Sequence, residues 1–266
     1  MYEELEVAKQ AALSAGALIL SHLHSQHAVE QKTGFDFVTE VDRLSEELIR
    51  GIIHKAFPDH GFFCEEQVSC AAQSEEELLS HMSGSTWVID ALDGTTNFIR
   101  GIPQFAVSIA LVRDGALEVG VVYDPSRDEL FAAQRGHGAT LCGEPIHVSQ
   151  RNQLDQSILA YGFPAADLEK RVHTMETVSK LAMRVGSMRI YNCAALLLCY
   201  VACGRLDLSW EEGLHLWDMA AGVLLVREAG GVVSRADGSA FDLASRENLA
   251  GNPELQNAFL HLSLHE

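Results

Sequence analysis

The segment Trp87-Val88-Ile89-Asp90-Ala91-Leu92-Asp93-Gly94-Thr95-Thr96-Asn97-Phe98 limits the fold of this chain more than any other. Its apolar start suits a buried strand that delivers Asp90 at its C-terminal end, with Asp93 three residues later. Gly94 permits a tight backbone turn, and Thr95 and Thr96 read as the start of a helical turn. Two carboxylates thus stand beside a set of backbone N–H groups. Carboxylates suit a hard cation such as Mg2+, and N–H groups at a helix start suit phosphate oxygens. An isolated D-x-x-D-G is more often a capped turn than a site, so the reading needs further acids. Cys64-Glu65-Glu66, after the apolar pair Phe62-Phe63, supplies one group. His215-Leu216-Trp217-Asp218-Met219-Ala220-Ala221-Gly222 supplies another, although a plain N-cap at Asp218 is a competing reading.

Charge narrows the function classes. Among 266 residues, 37 acidic side chains face 19 Lys and Arg, a net charge of −18. That balance argues against direct nucleic-acid binding and against an anionic membrane surface, both of which attract basic excess. An anionic substrate would then need positive charge from bound ions. With 47% hydrophobic and 21% charged residues, the composition excludes a disordered chain. No stretch approaches the roughly 18 apolar residues of a membrane span, and the acidic N-terminus does not read as a signal peptide. The cysteines 64, 70, 142, 193, 199 and 203 form no C-x-x-C pair and read as reduced thiols of a cytoplasmic protein. His22, His24 and His27 read as a solvated helix end.

Periodicity predicts an amphipathic first helix through Leu5, Ala8, Ala12, Ala15, Ile19 and Leu23. A second helix is expected from Thr39 to Phe57, with Leu44, Leu48, Ile52 and Ile53 as its apolar face, and a short one from Glu75 to Met82. Stretches 105–112, 117–123 and 129–134, separated by Asp114-Gly115 and Asp124-Pro125 turns, predict an antiparallel meander. After Gly143 the rhythm alternates: strand 157–161, helix 167–185, strand 188–191, helix 193–203, strand 206–210, helix 217–229 and strand 231–233. The expected organisation is an α+β half over 1–143 and an α/β half over 144–266.

The chain resembles the inositol monophosphatase family, part of the fructose-1,6-bisphosphatase-like, lithium-sensitive magnesium phosphatases. Four blocks carry the resemblance, in family order: Lys32 with Asp36-Phe37-Val38-Thr39-Glu40-Val41-Asp42; Glu65-Glu66; Trp87 to Phe98; and Trp217 to Gly222. The resemblance implies a five-layer αβαβα sandwich, homodimerisation and two or three Mg2+ ions. It implies Glu65, Asp90, Asp93 and Asp218 as metal-binding side chains, with the Leu92 carbonyl as a further ligand. Glu65 and Thr95 would position the attacking water, Asp42 would sit behind Thr95, and the Gly94 and Thr95 N–H groups would hold the phosphate. Lys32 and Glu66 would lie near a third, weaker metal. Asp93, Gly94, Thr95, Asn192, Cys193, Ala194, Glu211 and Asp218 would line the substrate pocket.

Three departures from the family pattern bear on this. Ala91 replaces the usual proline, Cys64 the usual glycine before the glutamate pair, and Asn192-Cys193 a glycine followed by Ser or Thr. The expected reaction is hydrolysis of a small phosphorylated alcohol, with inositol 1-phosphate first. Histidinol phosphate, fructose 1,6-bisphosphate, 3′-phosphoadenosine 5′-phosphate and NADP are alternatives with the same chemistry. Glu211 and Glu212, adjacent acids, favour a polyol or an amine-bearing alcohol over a bisphosphate, unless Arg184 or Arg189 reaches the pocket. No aromatic or cationic platform for a nucleotide base stands out in the second half. Some relatives in this family associate with the transcription machinery, so a regulatory binding protein that keeps the fold is the reading from a different class.

Overall fold

The computed structural model describes residues 2–25, 29–31, 37–69, 79, 82, 84–163 and 167–265. Among these, α1 (Tyr2–His22) is followed by a small antiparallel ribbon, β1 (Val29–Gln31) and β2 (Phe37–Thr39), and by α2 (Glu40–Ala56). Next come β3 (Gly61–Cys64), α3 (Glu65–Ser69), β4 (Ser85–Asp93) and α4 (Thr95–Ile99). The expected meander then runs as β5 (Ala106–Arg113), β6 (Ala116–Asp124) and β7 (Glu129–Gln134), extended by β8 (Ala139–Leu141) and β9 (Glu144–Pro145). The second half alternates β10 (Ile158–Tyr161), α5 (Leu168–Leu181), β11 (Ser187–Arg189), α6 (Ala194–Ala202), β12 (Leu208–Glu212), α7 (Leu216–Glu228) and β13 (Val232–Ser234). β14 (Glu247–Gly251) and α8 (Pro253–His265) close the chain. Lys32, and the helix expected over 75–82 apart from Leu79 and Met82, lie outside the described residues.

Strands β3 to β9 pair in chain order as a seven-stranded sheet, parallel only at β3/β4. The second sheet has five strands in the order β11-β10-β12-β14-β13, with β10 parallel to both neighbours. Period-two alternation along the strands sends side chains to opposite faces. Trp87, Ile89, Val107, Ile109 and Leu111 pack outward against Ala8, Ala12, Ala15 and Ile19 of α1 and Ile49 and Ile53 of α2. Val88, Ala110 and Val122 pack inward against α6 and α7, which also meet Ala160 and Ala250 of the second sheet. On that sheet's far face Leu159, Trp210 and Leu249 pack with Val178 and Leu181 of α5 and Leu255 and Phe259 of α8. The layers therefore run αβαβα, as expected.

The middle layer needs small residues where α7 crosses the large sheet. A Cβ on Gly120 would stand 2.7 Å from the Ala221 carbonyl oxygen, a backbone atom that cannot turn aside. Gly120→Val is expected to destabilise the protein by about 3 kcal/mol through overpacking. Urea denaturation checks this, and a variant of unchanged stability would refute the close-approach argument.

One expected face differs. In α2, Leu44 is exposed and Leu48 only half-buried, whereas Val41, Asp42, Ser45, Glu46, Ile49 and Ile53 are buried. The buried stripe is rotated and begins with polar residues because the first turns of α2 face the acidic cleft rather than an apolar sheet.

Candidate active site

Separate parts of the chain meet at one cleft of about 340 Å3, at the small end of the range for ligand pockets. Its lining includes Glu65 at the start of α3, Asp90, Leu92 and Asp93 at the end of β4, Gly94 and Thr95 entering α4, and Asp218 in the first turn of α7. Asn192, Cys193, Ala194 and Glu211 complete the predicted set. Among the expected site residues, Asp42 and Glu66 are not part of the cleft lining.

The β4 end is irregular for a physical reason. Pairing with β5 slips between Asp90 and Asp93, so one bulge turns both carboxylates to the cleft side. Asp90 Oδ1 accepts the Leu92 N–H at 3.0 Å, which closes the turn on itself. Ala91, standing where a proline is usual, is anchored from outside: its carbonyl accepts the Ser45 hydroxyl at 3.1 Å. Gly94 then adopts φ 87°, a left-handed backbone that suits glycine. Cys64 is not among the residues with positive φ and pairs with Ile89 within β3, so it leaves the approach to Glu65 unstrained.

Each acid is held by the local backbone. Asp93 Oδ2 accepts the Ala195 N–H at 2.7 Å and lies 3.2 Å from the Cys193 thiol. Asp218 Oδ2 accepts the His215 N–H at 2.7 Å as the reciprocal arm of a capping box; His215 is the N-cap and Asp218 the third helical residue, so Asp218 is not a plain N-cap and lines the cleft. Asp42 is buried at the third position of α2, where its Oδ2 accepts from the Thr39 N–H at 2.9 Å and the Thr39 hydroxyl at 2.6 Å. Its other oxygen lies 2.9 Å from Thr95 Oγ1, which is also 3.0 Å from the Leu92 carbonyl oxygen. The single hydroxyl proton of Thr95 can serve either acceptor.

Burial and mutual repulsion load this cluster. Desolvation, then the charges of Glu65, Asp93 and Asp218, push the Asp90 carboxyl well above the usual carboxylate range. Asp218 is pushed well up by burial and by Asp93 and Glu65. Burial raises Asp93 to about 6, opposed by the Ala195 N–H, the Cys193 thiol and the Gly94 N–H. Glu211, raised to about 8 by burial and the Asp93 charge, is the most displaced of those with a value. The donor set is all oxygen, which fits a hard divalent cation. Among the described residues no three acidic, histidine or cysteine side chains stand close enough to form a ready-made cage.

These shifts have a stability consequence with a definite sign. Carboxyls raised from about 4 to about 6 at Asp93 and about 8 at Glu211 bind more protons in the folded than in the unfolded chain across that window. The metal-free protein therefore loses stability as pH rises from about 4 to about 8. Mg2+ is expected to raise the melting temperature by at least about 4 °C more at pH 8 than at pH 5.5. A thermal-shift titration at both pH values measures this, and equal shifts would contradict it.

Several residues at the site carried no sequence signal of a role. Glu46 Oε2 accepts the Glu66 N–H at 2.9 Å and so fixes the turn into α3. Asn97 Nδ2 donates to the carbonyls of Gln104 at 2.8 Å and Tyr191 at 2.8 Å, tying the motif to the 191–194 segment. Asn192 there adopts φ 53°, a left-handed conformation that asparagine tolerates, which explains how it replaces a glycine.

Two expectations about the pocket are corrected. Glu212 does not line the cleft: strand alternation turns it to the opposite face from Glu211, 3.9 Å from His173 Nε2. The basic residue at the mouth is Arg171, not Arg184 or Arg189, and its guanidinium stacks 5.6 Å from the Phe163 ring centroid. An aromatic and cationic pair is therefore present in the second half after all. Its signal was hidden because Phe163 and Arg171 come from a loop and a helix, joined only by the fold.

A sequence model described as the inositol monophosphatase family matches residues 1–265. The chain is 44% identical over 262 residues to the "Nus factor SuhB" of Escherichia coli (strain K12), covering 98% of this chain and 95% of that one. It is 41% identical to "Inositol monophosphatase 2" of Solanum lycopersicum, covering 98% of each. In structure it is similar to the extragenic suppressor protein suhB from Bartonella henselae, with a TM-score of 0.91, 36% identity and 99% of each chain covered.

Proposed function

The chain belongs to the inositol monophosphatase family, and on that premise we propose that it is a Mg2+-dependent phosphomonoesterase acting on a small phosphorylated alcohol, inositol 1-phosphate first. The observation that carries this reading is the convergence of Glu65, Asp90, Asp93 and Asp218 on one cleft whose base is the Gly94-Thr95 turn. These four carboxylates and the Leu92 carbonyl would hold two or three Mg2+ ions. Bound there, the ions would acidify a water and neutralise the phosphoryl and leaving oxygens.

The chain's own residues do the rest. A phosphate and a hydroxide brought to about 4 Å repel by about 4 kcal/mol at an effective dielectric near 20, and an acidic protein offers little side-chain charge against that. The Gly94 and Thr95 N–H groups bind phosphoryl oxygens. Thr95 and Glu65 orient the attacking water, and Asp42, held twice by Thr39, aims the Thr95 hydroxyl. No histidine or lysine sits in the run from Trp87 to Phe98 to activate Thr95, and its hydroxyl is held by Asp42 and the Leu92 carbonyl, so it orients water rather than forming a phosphothreonine. Thr95→Ala is expected to lower kcat about 100-fold while changing the Mg2+ activation constant far less. Kinetics at saturating and limiting Mg2+ separate the two.

Glu211 receives a hydroxyl of the leaving alcohol, and Asn192, Cys193 and Ala194 close the pocket. The Phe163–Arg171 pair keeps a nucleotide phosphate in contention. The deciding experiment is phosphate release at fixed Mg2+, with EDTA and lithium controls. Its substrates are inositol 1-phosphate, histidinol phosphate, fructose 1,6-bisphosphate, 3′-phosphoadenosine 5′-phosphate and NADP. EDTA-sensitive turnover fastest on inositol 1-phosphate supports the whole reading, and a different preferred substrate moves the assignment within the pocket.

No turnover with Mg2+ bound would favour the second reading, a regulatory binding protein, which draws on the relative named a Nus factor. The net charge of −18 argues that such a partner would not be held through a nucleic-acid backbone. Leu168, Val172 and Met175 form an exposed apolar stripe on α5 that suits burial in a homodimer, which light scattering would measure. No helix among the described residues is long and apolar enough to cross a membrane. The free thiols Cys64, Cys193 and Cys199, all buried, suit a cytoplasmic location.

A further inference from the structure

Behind the cleft, three fully or almost fully buried polar side chains share one face of the second sheet. Asn248 on β14 and Ser209 on β12 are 0% exposed and Glu211 is 4% exposed. Both amide atoms of Asn248, Ser209 Oγ and Glu211 Oε2 have no hydrogen-bond partner among the described residues. Asn248 is the register partner of Glu211 in the β12/β14 pair, and Ser209 lies two residues before Glu211. Direct partners in an antiparallel pair bring their Cβ atoms to about 5 Å on the same face. Period two puts Ser209 on that face as well.

Buried polar atoms are almost always satisfied by protein or enclosed water. This set is complementary: the Asn248 NH2 can donate toward the Glu211 carboxyl, and its carbonyl can accept from the Ser209 hydroxyl. A single bridging water satisfies a gap of this kind. On the other side of Glu211, a side chain on Gly162 would collide with Glu211 Oε1, so the carboxyl is confined by backbone there. Ala160 and Ala250, register neighbours of Ser209 on the same face, add no polar side chain there.

We infer that Asn248 is a positioning residue for Glu211: its buried amide, bridged by water, holds the Glu211 carboxyl in the orientation that receives a hydroxyl of the leaving alcohol. The inference rests on the phosphomonoesterase reading and names the residue behind its alcohol-recognising group. An amide both donates and accepts, so it supports Glu211 whether or not the carboxyl carries a proton.

The test compares inositol 1-phosphate, or the best polyol phosphate of the panel, with p-nitrophenyl phosphate, whose leaving group offers no second hydroxyl. Asn248→Leu keeps the branching and the number of side-chain heavy atoms and removes both polar atoms. It is expected to raise KM for the polyol phosphate about tenfold, the worth of one hydrogen bond, with kcat changed much less. The loss in kcat/KM should be at least about five times larger on the polyol than on p-nitrophenyl phosphate. Glu211→Gln should lose similarly, and the double variant should be no worse than Glu211→Gln alone. Asn248→Ser, which keeps a donor and an acceptor, should recover part of the KM. If Asn248→Leu does not fold, Asn248→Ala carries the same expectation.

Equal losses on both substrates, or additive losses in the double variant, would overturn the positioning role and leave Asn248 a structural residue. An unaffected Asn248→Leu in a protein that hydrolyses the polyol phosphate would overturn this inference alone. A parent protein that binds Mg2+ but turns over neither substrate would overturn the hydrolase reading and this inference with it.

Discussion

Asp93→Asn is expected to lower kcat/KM at least about 1000-fold and, in the absence of metal, to raise the melting temperature above pH 7. The two effects have one origin. Asp93 is half-buried beside Asp90, Asp218 and Glu211, all of which it pushes toward protonation. Asparagine keeps the shape and one acceptor for the Ala195 N–H, so the 191–195 segment stays docked. It removes one of the negative charges that would hold the cations and oppose the folded state without them. The opposite signs are what matter, because ordinary damage to the fold lowers activity and stability together. Steady-state kinetics with Mg2+ and calorimetry in EDTA test the pair. Near-normal activity would remove Asp93 from the site, and a lowered metal-free melting temperature would make it a structural acid.

Gly94→Ala should be the most damaging change that alters no charge. The left-handed φ of 87° costs an alanine about 1 to 2 kcal/mol. The added Cβ would also stand 2.8 Å from the Gln104 carbonyl oxygen and 3.2 Å from the Phe105 Cα, both backbone. The turn must shift, and Asp93 and Thr95 flank it. A loss of about 3 kcal/mol in stability and about 100-fold in kcat/KM is expected. Urea denaturation and kinetics at saturating Mg2+ read the two losses. A variant that is destabilised yet turns over normally would show that the turn does not place the reacting groups.

The residues that were legible from the chain alone are those whose chemistry is local. The run from Trp87 to Phe98 carries its strand, turn and helical start in its own order of apolar, acidic and glycine residues, whereas the bulge between Asp90 and Asp93 shows only in the strand pairing. The meander 105–134 shows itself by alternation and Asp-Gly or Asp-Pro turns. The alternating elements after Gly143 do so by a change of period. What stayed hidden depends on distant partners. Glu46 supports the turn at Glu66 from 20 residues away, and nothing in the helix sequence marks it as other than a surface acid. Phe163 and Arg171 meet only once β10 and α5 are packed. Glu212 was misplaced because two adjacent acids look equivalent in a sequence, whereas a strand sends them to opposite faces. Asn248 is silent for the same reason as Glu46, since its importance lies across a strand pair.

The backbone duties of the acids change what their presence in a related chain means. Asp218 completes the cap of α7, Asp42 completes the cap of α2, Asp90 closes the β4 turn and Asp93 docks the 191–195 segment. Asp218, Asp42 and Asp90 would be kept for folding in a descendant that never hydrolysed anything, whereas an asparagine can take over the docking by Asp93. Inheritance of those three is therefore a record of architecture, and a relative that has taken up another task in the cell can lose turnover entirely while still looking armed for it. Activity across such a lineage has to be scored by rate, because the acids outlast the chemistry.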